Sequence, residues 1–349
     1  MKTKVIRMNP EELDMEGIAE AGEILKRGGL VAFPTETVYG LGGNGLDPQA
    51  SGKIYQAKGR PSDNPLIIHI ADMEDLEKIV TEVPESAKKL AEVYWPGPLT
   101  MIFRKRDIVP YETTGGMETV AVRMPDHALA QALIRAGGGY IAAPSANTSG
   151  RPSPTLAAHV EEDLNGKIDM ILDGGPVGIG LESTIVDFTE EIPTILRPGY
   201  INLKMVEEVI GEVQMDRGLI QSDSKVKPKA PGMKYRHYAP KAELTVVEGK
   251  QEKVQETIRT LTAEKIEAGE TVGIIATQES VSAYPQGIVK CIGTRNDEES
   301  IARHLFAVLR EFDDCGVNYI YSESFDTPQM GQAIMNRLMK AAGQKKILV

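Results

Sequence analysis

Cysteine is almost missing from this chain: 349 residues hold two, Cys291 and Cys315. Two isolated cysteines make neither a disulfide framework nor the CxxC spacing of a zinc or redox site. Long apolar runs are missing too. The longest, such as 140–144 and 272–276, are strand-sized, whereas a membrane-spanning helix needs about 18 apolar residues or more. The opening stretch, MKTKVIRMNPEELD, has basic residues with no apolar segment behind them, so no signal peptide and a cytoplasmic location are expected. Positive charge is in deficit, with 39 Lys and Arg against 50 Asp and Glu, net −11. That balance excludes a protein that coats nucleic acid nonspecifically, which needs a clustered basic face to neutralise phosphates. The charge is uneven, however. Residues 1–205 carry −9 and 242–349 carry −4, while 206–241 carry +2; within 222–241 six basic residues meet a single acid, Asp223.

What is present is a globular composition, 41% hydrophobic and 26% charged. At about 150 residues per domain, the length predicts two domains. Short β-type runs at 30–33, 65–70, 99–104, 119–124, 140–143, 169–173 and 183–188 alternate with amphipathic stretches at 49–58, 85–94, 127–136 and 156–164. Alternation of this kind predicts an α/β sheet with helices packed over it, ended by a helix at 203–210. The pattern then stops. Residues 212–241 hold lysines and prolines without an apolar period, a linker composition. Alternation resumes at 244–247 and continues through 252–268, 272–276, 289–292, 299–312, 319–321 and 332–342 to 347–349. The predicted organisation is an α/β domain over 10–211, a linker over 212–241 and a smaller α/β domain over 242–349.

Residues 40–45, GLGGNG, match the GxGxxG pattern after a strand. A dinucleotide fingerprint turns directly from strand into helix, so that the pyrophosphate sits on the helix N-terminus. Here residues 34–39 intervene, and a better N-cap, Asp47, lies beyond the glycines. The chain also lacks GxxxxGK[ST], so nicotinamide and P-loop readings are set aside.

Polar groups cluster instead where strands end. PTETVYGLG (34–42) supplies Thr35, Glu36, Thr37 and Tyr39; AKGRPSDNPLIIHI (57–70) places Lys58 and Arg60 before a strand and His69 inside it; TVAVRMP (119–125) ends in Arg123. IAAPSANTSGRPSP (141–154) adds Ser145, Asn147, Thr148, Ser149 and Arg151, while LESTIVDF (181–188) and ILRPG (195–199) add Ser183, Thr184 and Arg197. Ligands of open α/β sheets bind beside strand ends, and Arg, Lys and hydroxyls at several ends suit a phosphorylated ligand. Taken singly, each has a plainer explanation. His69 between isoleucines suits a buried structural histidine, Arg123 an edge-strand solvent residue, and the Gly and Pro ordinary turns. Their repetition at five or six ends is what points to one composite pocket.

In that order over residues 15–200, PTETVYGLG, KGRPSDNPLIIHI, VAVRMP, APSANTSGRPSPT, ESTIVDF and LRPG resemble the YrdC-like domain of threonylcarbamoyl-AMP synthases. The segment APGMKYRHYAP (230–240) and the second domain resemble the long, two-domain form of that family. The resemblance implies a YrdC-like open twisted sheet with flanking helices, plus a smaller Rossmann-like α/β domain. It implies that L-threonine, bicarbonate and ATP give threonylcarbamoyl-AMP and pyrophosphate. From the phosphate chemistry, a Mg²⁺ bridging the phosphates is expected, with few protein ligands of its own. By motif, Lys58, Arg60, Asn64, Thr119, Ser145, Ser153 and Arg197 would face ATP, with Lys58 and Arg60 stabilising charge on the phosphates. Thr35, Thr37, His69, Arg123, the backbone of Ala143, and Ser183 would face threonine. Tyr235 and His237 of the linker would close over the nucleotide. The product would serve N6-threonylcarbamoyladenosine formation in tRNA; direct contact with tRNA or a tRNA-modifying enzyme stays open. Two other classes share the first domain. An RNA-associated module is disfavoured by the −9 of residues 1–205, and a hydrogenase-maturation carbamoyl-transfer protein would carry cysteine-rich zinc segments that this chain lacks.

Overall fold

The computed structural model describes residues 2–9, 12–216, 237–325 and 328–349. The chain forms two compact units: Met1–Ser149, Ser153–Gly178 and Glu182–Lys234 make the first, and Gly150–Pro152, Ile179–Leu181 and Tyr235–Val349 the second.

The first unit holds, among the described residues, eleven strands: β1 (Lys4–Arg7), β2 (Val31–Phe33), β3 (Gly40–Asn44), β4 (Ile67–His69), β5 (Leu99–Arg104), β6 (Thr119–Arg123), β7 (Ile141–Ala142), β8 (Met170–Asp173), β9 (Thr184–Asp187), β10 (Thr194–Arg197) and β11 (Gln214–Met215). They form one mixed sheet in the order β1-β8-β2-β3-β7-β4-β6-β5-β9-β10-β11. Side chains alternate across a strand, and burial here follows that rule on both faces. Ala32 and Ile171 enter a core beneath helices Pro48–Lys58 and Ala157–Leu164. Their neighbours Val31, Phe33, Met170 and Leu172 enter another, with Leu25 of helix Met15–Lys26 and Leu133 of Ala128–Ala136. A sheet buried on both sides reads as continuous apolar runs rather than strict alternation, as VAF and MILD do.

The glycine-rich stretch is β3, antiparallel to both β2 and β7. Its composition follows from crowding. A Cβ at Gly42 would lie 2.8 Å from Ile141 Cγ2 and 3.1 Å from the Val31 carbonyl, and one at Gly43 3.1 Å from Ile54 Cδ1. These glycines let backbones approach. Helix Pro48–Lys58 begins after it, capped by Asp47, whose carboxylate accepts from Gln49 N at 2.9 Å. The helix ends on Gly59, in the left-handed region at φ 61°, and this turn throws the chain towards Arg60.

The second unit is a five-stranded, all-parallel sheet of β12 (Glu243–Glu248), β13 (Val272–Ala276), β14 (Ile288–Cys291), β15 (Tyr319–Glu323) and β16 (Lys346–Leu348), ordered β14-β13-β15-β12-β16. Helices Gln251–Glu267, Glu298–Cys315 and Gly331–Ala341 provide the crossovers, as parallel strands require. No described helix is long and apolar enough to cross a membrane.

Candidate active site

The loop at 34–39 between β2 and β3 is organised by its own hydroxyls. Thr35 Oγ1 donates to the Val38 carbonyl at 2.7 Å and lies 2.9 Å from Thr37 Oγ1. With Thr35's only hydroxyl proton committed, Thr37 is the donor of that second bond. Thr37 Oγ1 in turn accepts from Arg123 Nη1 at 2.8 Å. A directed chain thus runs from the guanidinium through Thr37 and Thr35 to backbone.

Arg123 ends β6 and is 4% exposed. Its Nε donates to the Gly97 carbonyl at 3.3 Å, and its Nη2 stands 2.7 Å from Glu36 Oε1. Sheet register brings more groups alongside. Arg123 is paired with His69 on β4 and with Thr100 on β5. Thr100 Oγ1 lies 2.7 Å from Ser183 Oγ, which accepts from Arg197 Nη2 at 3.1 Å; Arg197 Nε also donates to the Ser183 carbonyl at 2.9 Å. Side chains thus join Thr35, Glu36, Thr37 and Arg123 in one group and Thr100, Ser183 and Arg197 in another. Strand pairing sets His69 and the two groups side by side; all but Glu36, 14% exposed, are buried.

His69 packs edge-on to Phe33, centroids 6.3 Å apart, and its Nδ1 is 3.2 Å from the Ile67 carbonyl. Burial, and then the positive Arg123, push its pKa down to about 3. It is a neutral imidazole at neutral pH, suited to polar contact without added charge. The unfolded chain, by contrast, protonates His69 near pH 6.5. Folding stability drawn from the neutral ring is therefore complete above about pH 6.5 and is lost as pH falls towards 3. In thermal unfolding scans from pH 7 to pH 4.5, His69→Gln should lose melting temperature less steeply than the parent chain.

A second set surrounds Lys58, which is 1% exposed. From the last turn of its helix, Nζ donates to the carbonyls of Ser145 and Asn147 and lies 3.5 Å from Asn147 Oδ1. Ser145 Oγ donates to Asn147 Oδ1 at 2.6 Å. The two sets share the 34–40 segment: Gly40 bridges to Ser145, and Ala146 N donates to the Tyr39 carbonyl at 2.8 Å. Ser153 Oγ donates to Glu182 Oε1 at 2.5 Å, beside Ser183, and Tyr39 N donates to the Pro154 carbonyl at 2.9 Å.

Arg60 points towards the foot of β4, donating to the carbonyls of Asn64 at 3.2 Å and Pro65 at 3.0 Å. Asn64 is buried, and its Oδ1 has no hydrogen-bond partner. Thr119 opens β6 four residues before Arg123, a separation of about 13 Å along an extended strand. Ala143 N donates to the Ile67 carbonyl at 2.9 Å, also at the foot of β4. Strand register thus separates Thr119, Asn64 and Arg60 from His69 and Arg123 along β4 and β6. Arg197 and Ser153, expected at the nucleotide, are bonded to the Ser183–Glu182 stretch. His237 belongs to the second unit, its ring 5.6 Å from that of Tyr238, while Tyr235 lies outside the described residues, as does most of the predicted linker. Among the described residues no three His, Cys, Asp or Glu come together as a metal site.

The sequence placed Glu36 and Asn147 among the polar groups at strand ends without a specific role, and did not single out Thr100 or Glu182. Three of them stand inside the motifs quoted above. Thr100 lies in LTMIFR, where nothing local marks one hydroxyl as facing the pocket.

Fold and site define a two-unit α/β protein whose larger unit gathers buried cations and hydroxyls at strand ends. A family profile described as "Telomere recombination" matches residues 23–199, and one described as "Threonylcarbamoyl-AMP synthase, C-terminal domain" matches 201–343. The threonylcarbamoyl-AMP synthase of Bacillus subtilis is 51% identical, over 95% of this chain and 94% of its own length. That of Pyrococcus abyssi is 50% identical over 97% and 98%. The crystal structure of P. abyssi Sua5 complexed with L-threonine superposes with a TM-score of 0.94 at 48% identity, covering 99% of this chain and 100% of that one. Escherichia coli YciO matches at TM-score 0.52 and 25% identity, covering 56% of this chain and 96% of its own. The chain belongs to the threonylcarbamoyl-AMP synthase family, in its two-domain form.

Proposed function

We propose that this chain is an L-threonylcarbamoyladenylate synthase, a nucleotidyltransferase that converts L-threonine, bicarbonate and Mg·ATP into threonylcarbamoyl-AMP and pyrophosphate. The observation that carries the reading is the 34–40 segment, which joins the Arg123 hydroxyl set to the Lys58 loop. One set suits an amino-acid carboxylate and hydroxyl, the other a polyanion. Arg123 offers a guanidinium to the carboxylate. The hydroxyls of Thr37 and Ser183 sit where a substrate hydroxyl could bond. The threonine ammonium gives up a proton, and its free amine nitrogen attacks the carbon of bicarbonate. The C–O bond to hydroxyl breaks, so that water leaves with a proton from the nitrogen. An oxygen of the resulting N-carboxylate then attacks the α-phosphorus of ATP. The new P–O bond forms as the α–β anhydride breaks, and pyrophosphate leaves with the bonding pair. Such a transfer depends on positioning and on charge stabilisation more than on a covalent intermediate.

Lys58, buried as it is, acts through its charge and through the Ser145–Asn147 loop that it holds. Arg60 and Asn64 line the path towards Thr119, a span that suits the rest of the nucleotide. The fit of Mg²⁺ is as a companion of the phosphates, since the described acidic residues build no cage for it. The product is a mixed anhydride, competent to carbamoylate an amine such as the adenosine N6 in tRNA, the use implied by the family.

Amino-acid selectivity tests the reading. Pyrophosphate release with ATP and bicarbonate should be supported by threonine. Valine, which replaces the hydroxyl by a methyl, should be slower by about 10⁴-fold if the site is built to bond that hydroxyl, and serine by only about 10–200-fold, since one methyl contributes little. Equal turnover of threonine and valine would overturn the assignment of the hydroxyl set.

A further inference from the structure

Glu36 is placed unlike an ordinary structural acid. Its side chain is 14% exposed, and its Oε1 lies 2.7 Å from Nη2 of an arginine that is itself buried. The contact is close but badly aligned: neither carboxylate oxygen of Glu36, nor that guanidinium nitrogen, makes a hydrogen bond of good geometry. Arg123 has its well-directed bonds elsewhere, through Nη1 to Thr37 and Nε to Gly97. His127, close enough to feel the Glu36 charge, is held towards its neutral form by burial, and its Nδ1 is likewise unpartnered. His69 is neutral as well. Arg123, then, has one carboxylate against it, Glu36, whose acceptor oxygens are underused, while the other buried cation of the site, Arg197, is bonded to Ser183.

A carboxylate entering this site to take Arg123 brings a second negative charge to a single guanidinium. Buried charge without a counter-charge is strongly unfavourable, so a ligand with a carboxylate alone fits poorly. An α-amino acid differs. Its ammonium brings the missing positive charge and three N–H donors, matching the unsatisfied oxygens of Glu36. We propose that Glu36 recognises the substrate's α-ammonium, so that Glu36 and Arg123 together read the zwitterion: anion to guanidinium, cation to carboxylate. The assignment rests on the reading of this site as the threonine pocket. It makes Glu36 a specificity residue that selects amino acids over hydroxy acids, and it holds the amine beside the carboxylate that must pair with Arg123.

Calorimetric titration separates the possibilities. L-Threonine and 3-hydroxybutyrate, which is threonine without its amine, are titrated into the parent chain and into Glu36→Gln. Glutamine keeps an acceptor for Arg123 while removing the charge. Threonine should bind the variant about 10–100-fold more weakly, the range expected for a lost charge-assisted hydrogen bond, while 3-hydroxybutyrate binds it better than it binds the parent. An equal loss for both ligands would show that Glu36 merely holds Arg123 in place and would overturn the proposal. So would unchanged threonine binding. If the parent chain binds no threonine at all, the pocket reading falls first and takes this one with it. Thermal unfolding of the variant, together with its retained affinity for 3-hydroxybutyrate, identifies a protein that is folded.

Discussion

Lys58→Ala should lower threonine-dependent pyrophosphate release by about 10²–10³-fold, the usual effect of removing one preorganised group that stabilises developing charge. Two losses combine. The positive charge beside the Ser145–Asn147 loop disappears, and the carbonyls of Ser145 and Asn147 lose a donor in a site where Lys58 is 1% exposed. Each stranded buried acceptor costs about 1–3 kcal/mol, so the loop should relax away from the 34–40 segment as activity falls. Lys58→Arg should not rescue. The ammonium fits between two carbonyls as a compact point donor, and a planar fork has a different shape. Steady-state pyrophosphate assays on folded variants check both outcomes. Retention of near-parental turnover by Lys58→Ala would remove this residue from the chemistry.

The second large effect is on stability as well as binding. Arg123→Met should destabilise the first unit by about 3–5 kcal/mol, because breaking a buried pair leaves an uncompensated charge. In melting temperature this is roughly 10 °C for a domain of this size. The stranded group is Glu36, and this predicts non-additivity. Glu36→Gln in the Arg123→Met background should recover a large part of the loss, whereas two independent sites would simply add. Threonine binding should not return in the double variant, since the guanidinium is still missing. Denaturant melts of the four proteins, read as a cycle, measure the coupling.

Much of the fold was legible because its signals are local. Apolar runs such as LTMIFR and VGIIA became β5 and β13 with the expected limits, and the helices Glu85–Tyr94 and Leu203–Ile210 match their amphipathic stretches. What stayed hidden was set by partners. GLGGN has no strand former but Leu41, and becomes β3 because β2 and β7 close on it from both sides at distances that exclude side chains. Lys4–Arg7 is an edge strand with little buried surface, and pairing with β8 specifies it. Helix Met15–Lys26 carries an Asp14 cap that the sequence displays, yet two glycines interrupt its apolar face; a Cβ at Gly22 would meet the Ala136 backbone at 2.6 Å, so a neighbouring helix explains that residue.

The site divides in the same way. Cations and hydroxyls at strand ends identified most of the polar residues, since those types in those loops have few structural uses. Their grouping could not be read. Whether Arg197 meets the Lys58 loop or Ser183 depends on the order of β5, β9 and β10 in the sheet, and on the register that sets Ile185 opposite Arg197. Thr100 faces Ser183 for the same reason. Glu36 was visible in PTETVYG, but only the three-dimensional placement of a buried arginine beside it distinguishes a ligand-reading carboxylate from a solvated loop acid.

If the two joined polar sets bring an N-carboxylated amino acid into attack on ATP, the bicarbonate carbon must appear in the adenylate. Rapid mass analysis of a reaction containing the protein, Mg·ATP, L-threonine and ¹³C-bicarbonate looks for it there. The predicted result is an adenylate containing threonine and the labelled carbon, formed in equal amount with pyrophosphate and absent when any one reactant is omitted. Pyrophosphate release that yields threonyl-AMP without the label, or proceeds without bicarbonate, would contradict it.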